Sequence, residues 1–159
     1  MSLTQCSAFI ALFCMLFFRS FIAGILLLIP LALATWFTFG YMAVQGIGIN
    51  LQSLPVSTIA IGIGVDYGIY LLSRIKEEYG NLGDLDSAIK EAIATAGNAI
   101  VLTCIVIIAG VAFWGFSDIK FQADMGLLLS IVTFFHLLGT LLLIPALVQI
   151  IKPKFISRK

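Results

Sequence analysis

The sequence has 159 residues, 61% of them hydrophobic and only 11% charged. Soluble domains carry about 25% charged residues, so this chain lacks the polar surface that water requires, and its solvent is lipid. A net charge of +1 excludes the basic footprint of a nucleic-acid binder.

A bilayer core about 30 Å thick takes about 20 apolar residues per helix. Five stretches meet that need, at Leu3–Phe18, Phe21–Val44, Leu54–Ile75, Asn98–Phe116 and Asp124–Ile151. Before the first stretch, Met1–Gln5 has no positive charge, and Arg19 follows it. That order is the reverse of a secretory signal, so the sequence predicts a retained membrane helix there. The second stretch contains Pro30 and the fifth Pro145; membrane helices tolerate proline where neighbours satisfy the freed carbonyls. Gln45–Ser53 and Ser117–Gln122 are short turns. Between the third and fourth stretches, apolar residues recur at Leu85, Ala88, Ile89, Ala92, Ile93 and Ala96, which is helical spacing. Asp84 suits the N-cap and Asp86 the first turn. The pattern predicts an amphipathic helix over about 84–96, either lying in the inner interface or packed on protein as a connector. The expected fold is all-α: one transmembrane domain over 1–159, a bundle of five transmembrane helices plus the inner interfacial helix.

If the stretches alternate in direction, Arg19, Arg74, Lys76, Lys90, Lys152, Lys154, Arg158 and Lys159 share one side, leaving Lys120 on the other. The positive-inside rule makes the rich side cytoplasmic. The reading is a multi-pass protein of the cell (inner) membrane, N-terminus outside and C-terminus in the cytoplasm.

Apart from Asp124 near a helix end, one acid stands within a stretch. Asp66 lies near the middle of the third, where a charged side chain costs about 2.5–3.5 kcal/mol on insertion scales. Such a residue needs a bundle interior or wet cavity, and a carboxyl that can be neutral or charged there carries protons. The alternative is a structural hydrogen bond that fixes helix packing. On a helical wheel Gly62, Asp66, Ile69, Tyr70 and Ser73 share a face, while Gly64 and Gly68 form a small-xxx-small packing pair on another. Tyr67 points about 100° from Asp66 and has a hydroxyl to offer a carboxylate. The expectation is that this helix sits at the centre of the bundle.

Cys6, Cys14 and Cys104 lie in apolar runs without metal-ligand spacing and read as small buried hydrophobes. His136, the single histidine, stands among Phe134, Phe135 and Leu137 and reads as a packed or hydrogen-bonded residue between helices. The sequence shows no nucleophile–base pair, metal constellation, glycine-rich phosphate loop or cofactor motif. The expectation is a non-enzyme without cofactor or metal.

The run Gly62-Ile63-Gly64-Val65-Asp66-Tyr67-Gly68-Ile69-Tyr70-Leu71-Leu72-Ser73-Arg74, followed by Glu77-Glu78, closely resembles a signature of the resistance–nodulation–division (RND) superfamily, in its MmpL-type exporter branch. Phe18-Arg19-Ser20, the segment from Ala92 to Ile100, Gly110, Phe116-Ser117, Met125-Gly126-Leu127 and Leu143-Ile144-Pro145-Ala146-Leu147 fall where similar runs occur. The resemblance implies the five helices that follow the external domain in one transporter half, most like the C-terminal half, and the unit called a sterol-sensing domain in eukaryotic relatives. It implies proton-driven export of a hydrophobic or amphiphilic molecule, protons being the coupling ion. Asp66 would be the proton acceptor and Tyr67 its companion, with Gly62, Ser73 and Thr103 as possible lining. The partners implied are the bilayer, a lipid-like substrate, and a second half or the rest of the polypeptide to supply the other Asp-Tyr pair. Asn98 departs from the pattern, standing where many relatives carry a basic residue. The competing expectation is a non-transporting, sterol-sensing-like lipid-binding or assembly module in which Asp66 is structural.

Overall fold

A computed structural model describes residues 20–46, 53–153 and 156. The span expected over Leu3–Phe18 lies outside them. Among the described residues the chain forms four long helices and no strand: α1 (Phe21–Val44), α2 (Ser53–Leu82), α3 (Leu85–Phe116) and α4 (Lys120–Ile151). Three of them, α1, α3 and α4, are long and apolar enough to cross a membrane by length and composition. The molecule is an all-α membrane protein.

Buried residues on α1 recur at helical spacing: Ala23, Leu26, Leu27, Pro30, Leu31, Ala34, Thr38 and Met42. Pro30 has no N–H for the carbonyl one turn earlier, yet the helix runs on. The Thr35 and Thr38 hydroxyls donate to the Leu31 and Ala34 carbonyls, each at 2.8 Å. Gly46, at φ +67°, closes the end of α1.

At 30 residues, α2 extends about 45 Å, beyond a hydrocarbon core about 30 Å thick. The expected end at Ile75 is therefore passed by two turns. Charges do not stop a helix that has left the lipid, and here they extend it: the Arg74 guanidinium pairs with Glu77 at 2.9 Å and Glu78 at 2.6 Å, the spacings at which helical side chains meet. Gly83 ends α2 in the left-handed region, φ +71°, its N–H donating to the Tyr79 carbonyl at 2.9 Å.

Asp84 then caps α3, its carboxylate accepting from the Ser87 N–H at 2.9 Å and the Ser87 hydroxyl at 2.7 Å. Those bonds, from backbone and side chain together, hold the Asp84 carboxyl below the usual carboxylate range. The amphipathic segment expected over 84–96 is not a separate element. It is the first part of α3, packed on α2 through Ala88, Ile89 and Ala92, and it continues into the stretch expected to begin at Asn98. Gly97 has an ordinary helical φ of −59° and Asn98 donates to the Ala94 carbonyl, so nothing breaks the helix there.

Both α3 and α4 contain one wide π turn, at Ile93–Gly97 and Gly139–Leu143. Their buried stripes explain why. Ala88, Ala92, Ala96, Ile100 and Cys104 are each at most 2% exposed, as are Leu128, Val132, His136, Thr140, Ile144 and Val148. A stride of four overshoots a full turn by about 40°, so either stripe would wind off its contact face. One surplus residue in a turn takes about 100° back and keeps the stripe facing its neighbours.

The central helices are α2 and α4, each touching the other three, with α1 and α3 flanking them. One core cluster joins all four through Leu26, Leu27, Tyr67, Leu71, Leu72, Ile75, Ile100, Cys104, Ile144 and Val148. A second, around Ala34, Met42, Val56, Leu128, Leu129 and Val132, joins α1, α2 and α4. Lipid tails are as apolar as leucine, so close backbone approach and packing, rather than exclusion from water, hold such helices together.

Candidate functional site

The face of α2 that carries Asp66 is open. Gly62 and Asp66 are exposed, and Tyr70 is 54% exposed. Between this face and α3 lies a groove of about 450 Å³. Ile63, Asp66, Tyr67 and Tyr70 line one wall, with Ala99, Ile100, Thr103 and Ile107 on the other. Both sets follow helical spacing, so each wall is one stripe of one helix. The Asp66 carboxylate makes no ion pair or hydrogen bond with a described residue. It is the one acid among the groove's lining, beside two tyrosines, Thr103 and four aliphatic residues.

Of the residues singled out from sequence, Asp66, Tyr67 and Thr103 meet in this groove, while Gly62 and Ser73 are not among its lining. The Thr103 hydroxyl donates to the Ala99 carbonyl of its own helix at 2.8 Å. Tyr67 is 5% exposed and its buried hydroxyl has no hydrogen-bond partner among the described residues; it makes no bond to Asp66. Of the two settings expected for Asp66, a bundle interior or a wet cavity, the described helices leave the carboxyl on an open groove without enclosing it. Gly64 and Gly68 lie on the covered side: a side chain at Gly64 would strike the His136 ring, and one at Gly68 would meet Leu27. His136 itself is 1% exposed. Tyr70 falls on the Asp66 face as the helical wheel placed it, while Ala99 and Ile107, one turn either side of Thr103, went unassigned in the sequence.

Four long helices, three of them apolar enough to cross a membrane, with an acid midway along α2 on an open helix–helix groove, define an α-helical membrane protein. The chain belongs to the MMPL family, whose model matches residues 1–158, and it is an RND/MmpL-type membrane transporter region. Relatives include a membrane protein of Methanocaldococcus jannaschii, 27% identical over 135 residues, covering 85% of this chain and 35% of that protein. The trehalose monomycolate exporter MmpL3 of Mycobacterium tuberculosis is 35% identical over 54 residues, 34% of this chain and 6% of that one. MmpL12 of the same organism is 25% identical over 114 residues, 71% of this chain and 10% of its own length. The chain thus spans about a third or less of the relatives it matches. No solved structure matches it at a significant level.

Proposed function

We propose that the chain forms part of a proton-driven exporter of hydrophobic or amphiphilic molecules, with Asp66 and Tyr67 as the proton relay. The observation that carries this reading is the Asp66 carboxylate, unpaired among the described residues, on the groove it shares with Tyr67 and Thr103. An acid at that depth is tolerated where it meets a partner or water, and the open face of α2 provides room for either. The uncovered groove supports a second transporter half, or the rest of the same polypeptide, as the surface that closes over it. Lipid-like cargo is supported by family membership and by the exporter among the relatives. The charge distribution supports a cytoplasmic C-terminus. One proton moving inward yields about 2.3 kcal/mol per 100 mV, so a few protons drive a modest gradient without a nucleotide.

The test is Asp66→Asn in the complete assembly, reconstituted in liposomes under an imposed pH gradient. Insertion and helix content should match the parent while proton-dependent export is lost. Export that persists undiminished in Asp66→Asn rejects the relay and favours the lipid-binding module.

A further inference from the structure

The groove between α2 and α3 has a definite end toward the Gly83 turn. Its lining stops there with Tyr70 on α2 and Ala99 on α3. One turn nearer Gly83 in each helix stand Arg74 and Thr95, and these two are bonded: the Arg74 Nε–H donates to the Thr95 hydroxyl at 3.3 Å. Closer still to the turn, Ala88, Ile89 and Ala92 of α3 are buried where it packs on α2. The bridge therefore stands where a packed helix pair gives way to an open groove. Asp66 is eight residues from Arg74, about 12 Å along α2.

Each partner in the bridge is held more closely on its own helix. The Arg74 guanidinium keeps Glu77 at 2.9 Å and Glu78 at 2.6 Å, and the Thr95 hydroxyl donates to the Glu91 carbonyl at 2.8 Å. The bond between helices is the longest of these contacts and so the weakest. Parting it leaves the arginine with both countercharges and the threonine with its acceptor, so neither group is stranded. Thr95 also lies in the π turn Ile93–Gly97, where the backbone ladder of α3 is already widened.

We propose that the Arg74–Thr95 bridge is the gate at the inner end of the groove, closed while the bond holds and open to water from that side when it parts. The guanidinium is always charged. Held across the groove's end, it opposes the approach of a hydronium toward Asp66, as a fixed arginine does in a pore. Glu77 and Glu91, both exposed, stand on the side away from Asp66 and favour cations at the mouth. When the gate opens, the guanidinium rests on Glu77 and Glu78 alone. Arg74 and Thr95 are positioning residues: neither gives or takes a proton. The use of the gate rests on the proposed proton uptake at Asp66; its opening and closing do not.

Thr95→Val removes the acceptor while keeping the side chain's shape and both ion pairs of Arg74, and Thr95→Ser keeps the hydroxyl. A cysteine at Ala99, one turn from the bridge, reports on water in the groove. The full chain in lipid nanodiscs is labelled with a charged methanethiosulfonate, and labelling of the chain without the added cysteine is subtracted. Thr95→Val should speed labelling of Ala99→Cys on the order of tenfold, the factor one such hydrogen bond carries, and Thr95→Ser should label at the parental rate. Cys104 is buried, so its labelling answers to general loosening and should stay unchanged. Equal rates in the parent, Thr95→Val and Thr95→Ser overturn the proposal. So does a gain that Thr95→Ser shares, or one that Cys104 shares. Export by Asp66→Asn tests the relay separately, so gate and relay fail independently.

Discussion

Gly139 lies directly against Pro30: a side chain begun at Gly139 would put its first carbon 2.9 Å from Pro30 Cβ and 3.3 Å from Pro30 Cα. The two helices thus meet through backbone, at the first residue of the π turn in α4 and at the one residue of α1 that has no N–H. Neither a proline ring nor a Cα can swing aside, so Gly139→Ala should cost about 1–3 kcal/mol, the usual range for overpacking. Thermal unfolding in detergent checks this. Stability within about 0.5 kcal/mol of the parent, the scatter of neutral surface changes, would show that α1 and α4 do not meet there.

The glycines on the covered side of α2 should respond unequally to the same substitution. A side chain at Gly68 is met first by a terminal methyl of Leu27, which can rotate away. At Gly64 it is met by the body of the His136 ring, including Cγ. Gly64→Ala is expected to destabilise by about 1–3 kcal/mol and Gly68→Ala by less than about 1 kcal/mol. Adding His136→Ala to Gly64→Ala should recover part of the loss, a coupling that a double-mutant cycle reads out.

Arg74 ties the end of α2 to α3 as well as to its own helix. Its guanidinium reaches Glu77, Glu78 and the Thr95 hydroxyl, the last at 3.3 Å. The Glu78 side chain is 10% exposed and that of Glu77 61%, so only Glu78 is left poorly solvated without its partner. Arg74→Ala should cost about 1–2 kcal/mol after allowing for the partial exposure of the arginine. Glu77→Gln should change stability by less than about 0.5 kcal/mol. Equal effects of the two substitutions would contradict the distinction.

The Asp84 cap gives a pH dependence with a definite sign. The Ser87 bonds lower its pKa in the folded protein, so the charged cap contributes stability above the ordinary carboxylate pKa. That contribution is lost as the pH falls through the lowered value. In a titration followed by NMR, the Ser87 amide should keep its capped shift through mild acid and change only below the usual aspartate range. Ser87→Ala should move the Asp84 midpoint upward; an unmoved midpoint would assign the shift to some other cause.

The sequence made several features of this fold legible because their causes are local. A carboxylate before an apolar periodic run marked the N-cap at Asp84, and the glycines of α2 marked a helix built for close approach. The stretch expected to begin at Asn98 does start there as regular α-helix, just after the π turn, but without a break from the segment before it, because the composition change marks the edge of lipid and a helix crosses that edge. The end of α2 was set too early for the same reason. Asp66 shows a different limit. A wheel projection tells which residues share a face, but which face stays uncovered depends on the order in which helices surround it. The seat of the His136 ring against Gly64 depends on packing between α2 and α4, separated by some seventy residues, and no local pattern encodes it.

The wide turns in α3 and α4 change how length variation in this chain must be understood. Dropping one residue between Gly139 and Leu143 would give a regular helix with everything downstream still on its present face, because the turn already gives back the roughly 100° that residue adds. Ile144 and Val148 would keep their seats and Ile150, 78% exposed, would stay outward, whereas tightening the turn with every residue kept would swing all three by about 100°. The surplus residue works like a leap day: by itself it looks like an irregularity, yet it keeps a calendar of fours in season.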